Sequence, residues 1–190
     1  MTAAERIASR ELAPVRFTAD EFMELVQHPP VSEWVGKIEL IDGEIVHMSP
    51  ANNPHWFMAR TVFLGLNAAL EPLGREWLVG PEPTVRFGKR SVRLPDIGVF
   101  RDPKLSESIF LVADLFLAVE IADTTLRHDL GRKQVAYAEA AVPHYWVVDV
   151  NGRKIHIMTG PEAGGYATKS VIPFGEPVPV PGTDAAITID

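Results

Sequence analysis

Residues 115–123 read LFLAVEIAD, an apolar run broken within by Glu120 and ended by Asp123. Its length and its mix of aromatic, aliphatic and β-branched residues fit a strand buried on both faces, as in a parallel or mixed sheet covered by helices. An ionised carboxylate in such a strand loses its hydration unless a cation or hydrogen-bond donors compensate. Glu120 therefore needs partners.

Two flanking segments offer them. Upstream, RLPDIGVF (93–100) places Asp96 after Pro95 in another apolar, strand-like stretch. Downstream, DLGRKQVAYAEAA (129–141) carries Leu130, Tyr137 and Ala141 along one side at helical spacing, with Lys133 among them and Pro143 as the stop. Two acids and an amine are the parts of a metal-dependent phosphodiesterase, and a hard cation such as magnesium takes one or two carboxylates plus water and phosphate oxygens. Asp96 and Glu120 are the candidate ligands, the Ile121 carbonyl a further oxygen, and Lys133 the group that orients water or offsets developing charge. Each has a plainer reading. Asp96 can end a strand at a local turn, and Lys133 can pair with Asp129 at i, i+4 on an exposed helix face.

Further out, Thr18 and Glu21 form a capping box ahead of a short helix, and Asp42-Gly43 between KIELI (37–41) and EIVHM (44–48) signals a two-residue hairpin. Glu39 and Glu44 lie on its two strands and are candidate supporting acids. Asn53-Pro54 reads as the N-cap and first residue of a helix reaching about Leu70, with His55 at its start, placed for the metal or for a phosphate. Val79–Phe87, Val92–Phe100 and Leu115–Ile121 read as central strands. HYWVVDV (144–150) is a buried strand, Asn151-Gly152 a second hairpin turn and Gly164-Gly165 a third, and the proline-rich tail 172–190 is expected to pack at an edge. The order predicts an α/β (α+β) fold, a central mixed sheet flanked by helices with terminal hairpin additions.

The 190 residues fit one domain, expected over 17–190 after a flexible segment 1–16. Apolar runs fall short of the roughly 20 residues of a membrane helix. The charged N-terminus lacks a secretory pattern and points to the cytoplasm. With no cysteine, thiolate sites and disulfides are excluded. The net charge of −7 argues against broad adhesion to nucleic acid while leaving room for a local basic groove, for which Arg86, Lys89, Arg90 and Arg93 are candidates against a solvated hairpin tip.

The ordered segments ELIDGEIVHMSP, His55, LPDIGVF, LAVEIAD, Asp129-x-x-x-Lys133-x-x-x-Tyr137 and VPHYWVVD resemble the Uma-type family of predicted restriction endonucleases in the PD-(D/E)XK superfamily, over about residues 17–172. The resemblance implies a restriction-endonuclease-like core and magnesium- or manganese-dependent cleavage of nucleic acid, DNA first, by a homodimer. It implies Pro95-Asp96 as the PD element and Glu120 as the second acid. Ala122 stands where the lysine usually follows that acid, so the resemblance points to Lys133 as its replacement on the next helix. Asp123-Thr124-Thr125 and His144 also depart from the family pattern. The competing readings are an inactive nucleic-acid- or protein-binding module on the same fold, and a hydrolase of small phosphoesters with a narrow pocket.

Overall fold

The structure, a computed structural model, describes residues 14–33, 36–48, 50–104 and 108–190. Most of the expected flexible segment, residues 1–13, lies outside them. Helix α1 (Ala19–Leu25) opens on the expected capping box, with the Thr18 side chain accepting from Glu21 N–H and the Glu21 side chain accepting from Thr18 N–H. Strands β1 (Ile38–Ile41) and β2 (Glu44–His47) form the hairpin, and Asp42 and Gly43 both take positive φ, as a type I′ turn requires.

Helix α2 spans Asn53–Leu70. Its N-cap is Asn52, whose side chain accepts from His55 N–H at 3.0 Å, so the expected cap moves back by one residue and Pro54 sits in the first turn. The segment Val79–Phe87 is two strands, β3 (Trp77–Pro81) and β4 (Val85–Gly88), broken where Glu82 takes φ 46° before Pro83. Val92–Phe100 is likewise two, β5 (Ser91–Arg93) and β6 (Ile97–Arg101), separated at Leu94-Pro95-Asp96. Each proline removes a ladder donor, and the chain uses each break to pass between sheets.

With β7 (Phe110–Leu111), β8 (Leu115–Ala122), β9 (His144–Asp149), β10 (Lys154–Glu162) and β11 (Gly165–Pro173), the described strands form two main sheets. Their orders are β2-β1-β5-β4-β7 and β11-β10-β9-β8-β6-β3. The β8–β9 pair is parallel, joined through a crossover made of α3 (Leu126–His128), a π-helical turn (Asp129–Lys133) and α4 (Gln134–Glu139). The Asn151-Gly152 turn is longer than expected. Lys154 pairs with Asp149, leaving a four-residue loop in which Arg153 takes the positive φ, because the Asp149 carboxylate accepts from Gly152 N–H and draws the turn back.

Alternation along β8 places the site. Leu117, Val119 and Ile121 face α2 with Val62, Leu66 and Leu70, and the tail hairpin β12 (Pro177–Pro179) and β13 (Ala186–Thr188) closes that core with Val178 and Ile187. Ala118 and Ala122 face the opposite layer, with Tyr137 and Ala138 of α4. Glu120 shares their parity, so its side chain lies between two small residues under the crossover helix.

Candidate active site

Ile97 pairs with Val119 across β6 and β8. Continuing that antiparallel register by one residue sets Asp96 opposite Glu120, and opposite residues send their side chains to the same face. Both acids are buried, at 6% and 2% exposure, and both line an open cavity of about 920 Å³. Ile121 N–H donates to Asp96 Oδ2 at 2.7 Å. In an extended strand the N–H and C=O of one residue point to the same edge, so the Ile121 carbonyl also faces the Asp96 side.

Lys133 approaches from the crossover. Its Nζ lies 2.7 Å from Glu120 Oε2 and 3.8 Å from Asp129 Oδ1, at 5% side-chain exposure. The exposed helix lysine of the plainer reading is thus ruled out, and the Asp129 pairing persists inside the protein. The π turn, with non-helical angles at Gly131, turns both Asp129 and Lys133 inward. Tyr137 donates its hydroxyl to Glu120 Oε1 at 2.9 Å, so both oxygens of the acid are held from one helical segment.

His55 Nε2–H donates to Asp96 Oδ2 at 3.1 Å. Glu39 is fully buried; its Oε1 accepts from Leu94 N–H at 2.9 Å, and its Oε2 has no hydrogen-bond partner. Glu44, expected in support, is not brought to the site. It sits opposite Ile41 at the turn end of the hairpin, where it is exposed and pairs with Arg16 at 3.0 Å. The four basic candidates separate. Arg86 pairs with Asp20 at 2.5 Å, Arg93 is buried with its guanidinium 5.7 Å from the centre of the Phe87 ring, and Lys89 and Arg90 occupy the exposed turn.

Sequence reasoning missed two features. The Lys37 ammonium contacts Asp96 Oδ1 and lies 3.4 Å from Glu82. Its signal was parity: it stands two residues before Glu39, on the same face. Asp123, read as a departure from the family, accepts from Asn52 Nδ2 at 2.6 Å and Asn151 Nδ2 at 3.0 Å, tying the start of α2 to the β9–β10 turn.

The two acids differ in charge state. Burial raises the Asp96 carboxyl, but the His55 hydrogen bond and the Lys37, His55 and Lys133 charges outweigh it and hold the group well below the ordinary range. Burial pushes Glu120 up to about 8; Lys133 opposes this, and Asp96 and Asp129 add to it. Burial also works against the Lys133 charge, yet Glu120, Glu39, Asp129 and Asp96 together keep that ammonium protonated beyond its ordinary value.

Among the described residues, no three His, Asp or Glu side chains converge into a ready-made metal cage. The donor set still suits magnesium or manganese, which need only one or two carboxylates and leave their other positions to water and phosphate. An ammonium already rests on Asp96 where a cation would bind.

A mixed sheet flanked by helices, with paired acids where β6 and β8 meet, defines a restriction-endonuclease-like fold. The chain belongs to the Uma2 family, described as "Putative restriction endonuclease", whose profile matches residues 20–190. The structure is similar to the crystal structure of "a putative nuclease belonging to DUF820" from Anabaena variabilis, with a TM-score of 0.63 and 22% identity over 87% of this chain and 89% of that one. At that identity the likeness concerns the fold. Curated proteins give no match, and no described helix is long and apolar enough to cross a membrane.

Proposed function

We propose that the protein is a metal-dependent endonuclease that hydrolyses phosphodiester bonds in nucleic acid, with DNA as the first substrate to test. The observation that carries this reading is the placement of Asp96 and Glu120 opposite one another at an open cavity, with the Lys133 ammonium 2.7 Å from Glu120. Asp96, Glu120 and the Ile121 carbonyl would hold magnesium or manganese. A divalent ion there polarises a phosphoryl oxygen and lowers the pKa of water.

The chain's own groups supply the rest. Lys133 stays protonated, so it donates hydrogen bonds and positive charge to the attacking water and to the developing oxyanion, and does not serve as a base. His55 fixes the orientation of Asp96. Lys89 and Arg90 present exposed charge for backbone phosphates. The breadth of the cavity favours a polymer over a small phosphoester. Cutting both strands of a duplex takes two such sites, so the reading includes a homodimer, each protomer contributing one domain over residues 17–190.

Manganese calorimetry and a cleavage screen on duplex DNA, single-stranded DNA and RNA test the proposal, using wild type and Asp96→Ala with its fold checked by circular dichroism. Cleavage should vanish in the variant. Cutting by Asp96→Ala at the wild-type rate would sink the assignment.

A further inference from the structure

The two ammonium groups at the acid pair are not equivalent. Both line the cavity, but Lys133 is 5% exposed and sits 2.7 Å from Glu120 Oε2, whereas Lys37 is 16% exposed and sits on Asp96. Lys37 is pressed into place by its backbone: its carbonyl accepts from Met48 N–H at 2.8 Å, and Gly36 before it has φ +104°. A Cβ at Gly36 would come within 2.3 Å of the Met48 carbonyl oxygen, so only glycine permits this approach. The Lys37 head contacts Asp96 Oδ1, an oxygen that a divalent ion would need, and its neighbour Glu82 is more than half exposed. Two cations close together on one carboxylate oxygen repel one another, and lysine's flexible stem lets its head move.

We propose that Lys37 is a substrate-phosphate ligand. It neutralises Asp96 until a divalent ion takes that carboxylate, and then moves onto a non-bridging oxygen of the scissile phosphodiester. The inference rests on the nuclease reading above. It assigns the more exposed ammonium to the scissile phosphate and leaves Lys133, held on Glu120, to the attacking water.

The test uses Lys37→Gln, which keeps a neutral donor for Asp96, and Lys37→Arg, which keeps the charge. Manganese alone is titrated by calorimetry, and a fluorescein-labelled DNA duplex is titrated by anisotropy in calcium over a range of salt concentrations. Lys37→Gln should bind manganese roughly three- to tenfold more tightly, having lost a competing cation of modest exposure. Its slope of log affinity against log salt should shrink by about 1, the mark of one lost phosphate contact, and Lys37→Arg should restore that slope. An unchanged slope in Lys37→Gln, or manganese binding no tighter than wild type, would overturn the proposal while leaving the nuclease reading standing. Wild type that binds neither manganese nor duplex would overturn both.

Discussion

The Tyr137 hydroxyl donates to Glu120 Oε1 at 2.9 Å from within the buried layer between β8 and α4. It aims the acid as much as it satisfies it, because the other oxygen is already held by Lys133. Tyr137→Phe leaves a buried acceptor without its donor, which typically costs about 1–3 kcal/mol. Chemical denaturation should show that loss, and manganese affinity should fall with it. A variant as stable as wild type would mean that the hydroxyl contributes nothing to holding Glu120.

Lys133→Met removes the counter-charge from a buried acid. Breaking a buried pair from one side costs about 3–5 kcal/mol when the remaining group stays charged. Glu120 has a folded-state pKa of about 8, above the ordinary 4.5, so the folded protein binds the extra proton between those values and stability falls as pH rises through that window. The variant should therefore lose most stability near pH 9 and less near pH 6. Denaturation midpoints at the two pH values check this, and a penalty independent of pH would refute it.

Divalent-ion binding should release a proton. With Glu120 pushed up to about 8, the cation competes with that proton below pH 8, and manganese affinity should climb by up to about tenfold per pH unit before levelling off. Calorimetry in buffers of different ionisation enthalpy measures the released proton directly. Binding heats that do not change with the buffer would contradict the protonated Glu120.

Asp123→Ala should separate support from chemistry. It strips an acceptor from Asn52 and Asn151, exposed amides that water can satisfy, so a loss of no more than about 1 kcal/mol is expected. Because Asn52 caps α2 and holds His55 N–H, cleavage should drop while manganese binding persists. Manganese binding lost together with cleavage would place Asp123 among the metal ligands instead.

Much of this arrangement was legible from local chemistry. Glu120 could be read because a buried strand offers few other ways to solvate it, whereas spacing left Lys133 open to the exposed, Asp129-paired reading until the family resemblance pointed to it, since the inward π turn at Gly131 is not written in a 3.6-residue period. The Asp42-Gly43 turn followed from the positive φ that both positions must adopt. What escaped depended on tertiary pairing. A lysine before a strand looks like any solvated edge residue until the sheet brings Asp96 to it, and Asp123 needed two asparagines from distant loops. The two split strands escaped because the apolar residues on either side of Glu82-Pro83 and Leu94-Pro95 were read as single runs; each proline marks a break in propensity, but the change of sheet that follows it is not written there.

The passage of the chain between sheets at Leu94-Pro95-Asp96 also orders the assembly of the site in time. Asp96 just before β6, Glu120 on β8 and Lys133 on the crossover are nearer one another along the chain than Lys37 and His55 are to Asp96. Short-range closure is entropically cheaper and faster. The acid pair and its buried lysine are therefore expected to assemble as a unit before the N-terminal hairpin and the start of α2 dock, and amide hydrogen exchange should show Lys37 and His55 less protected than Glu120 and Lys133.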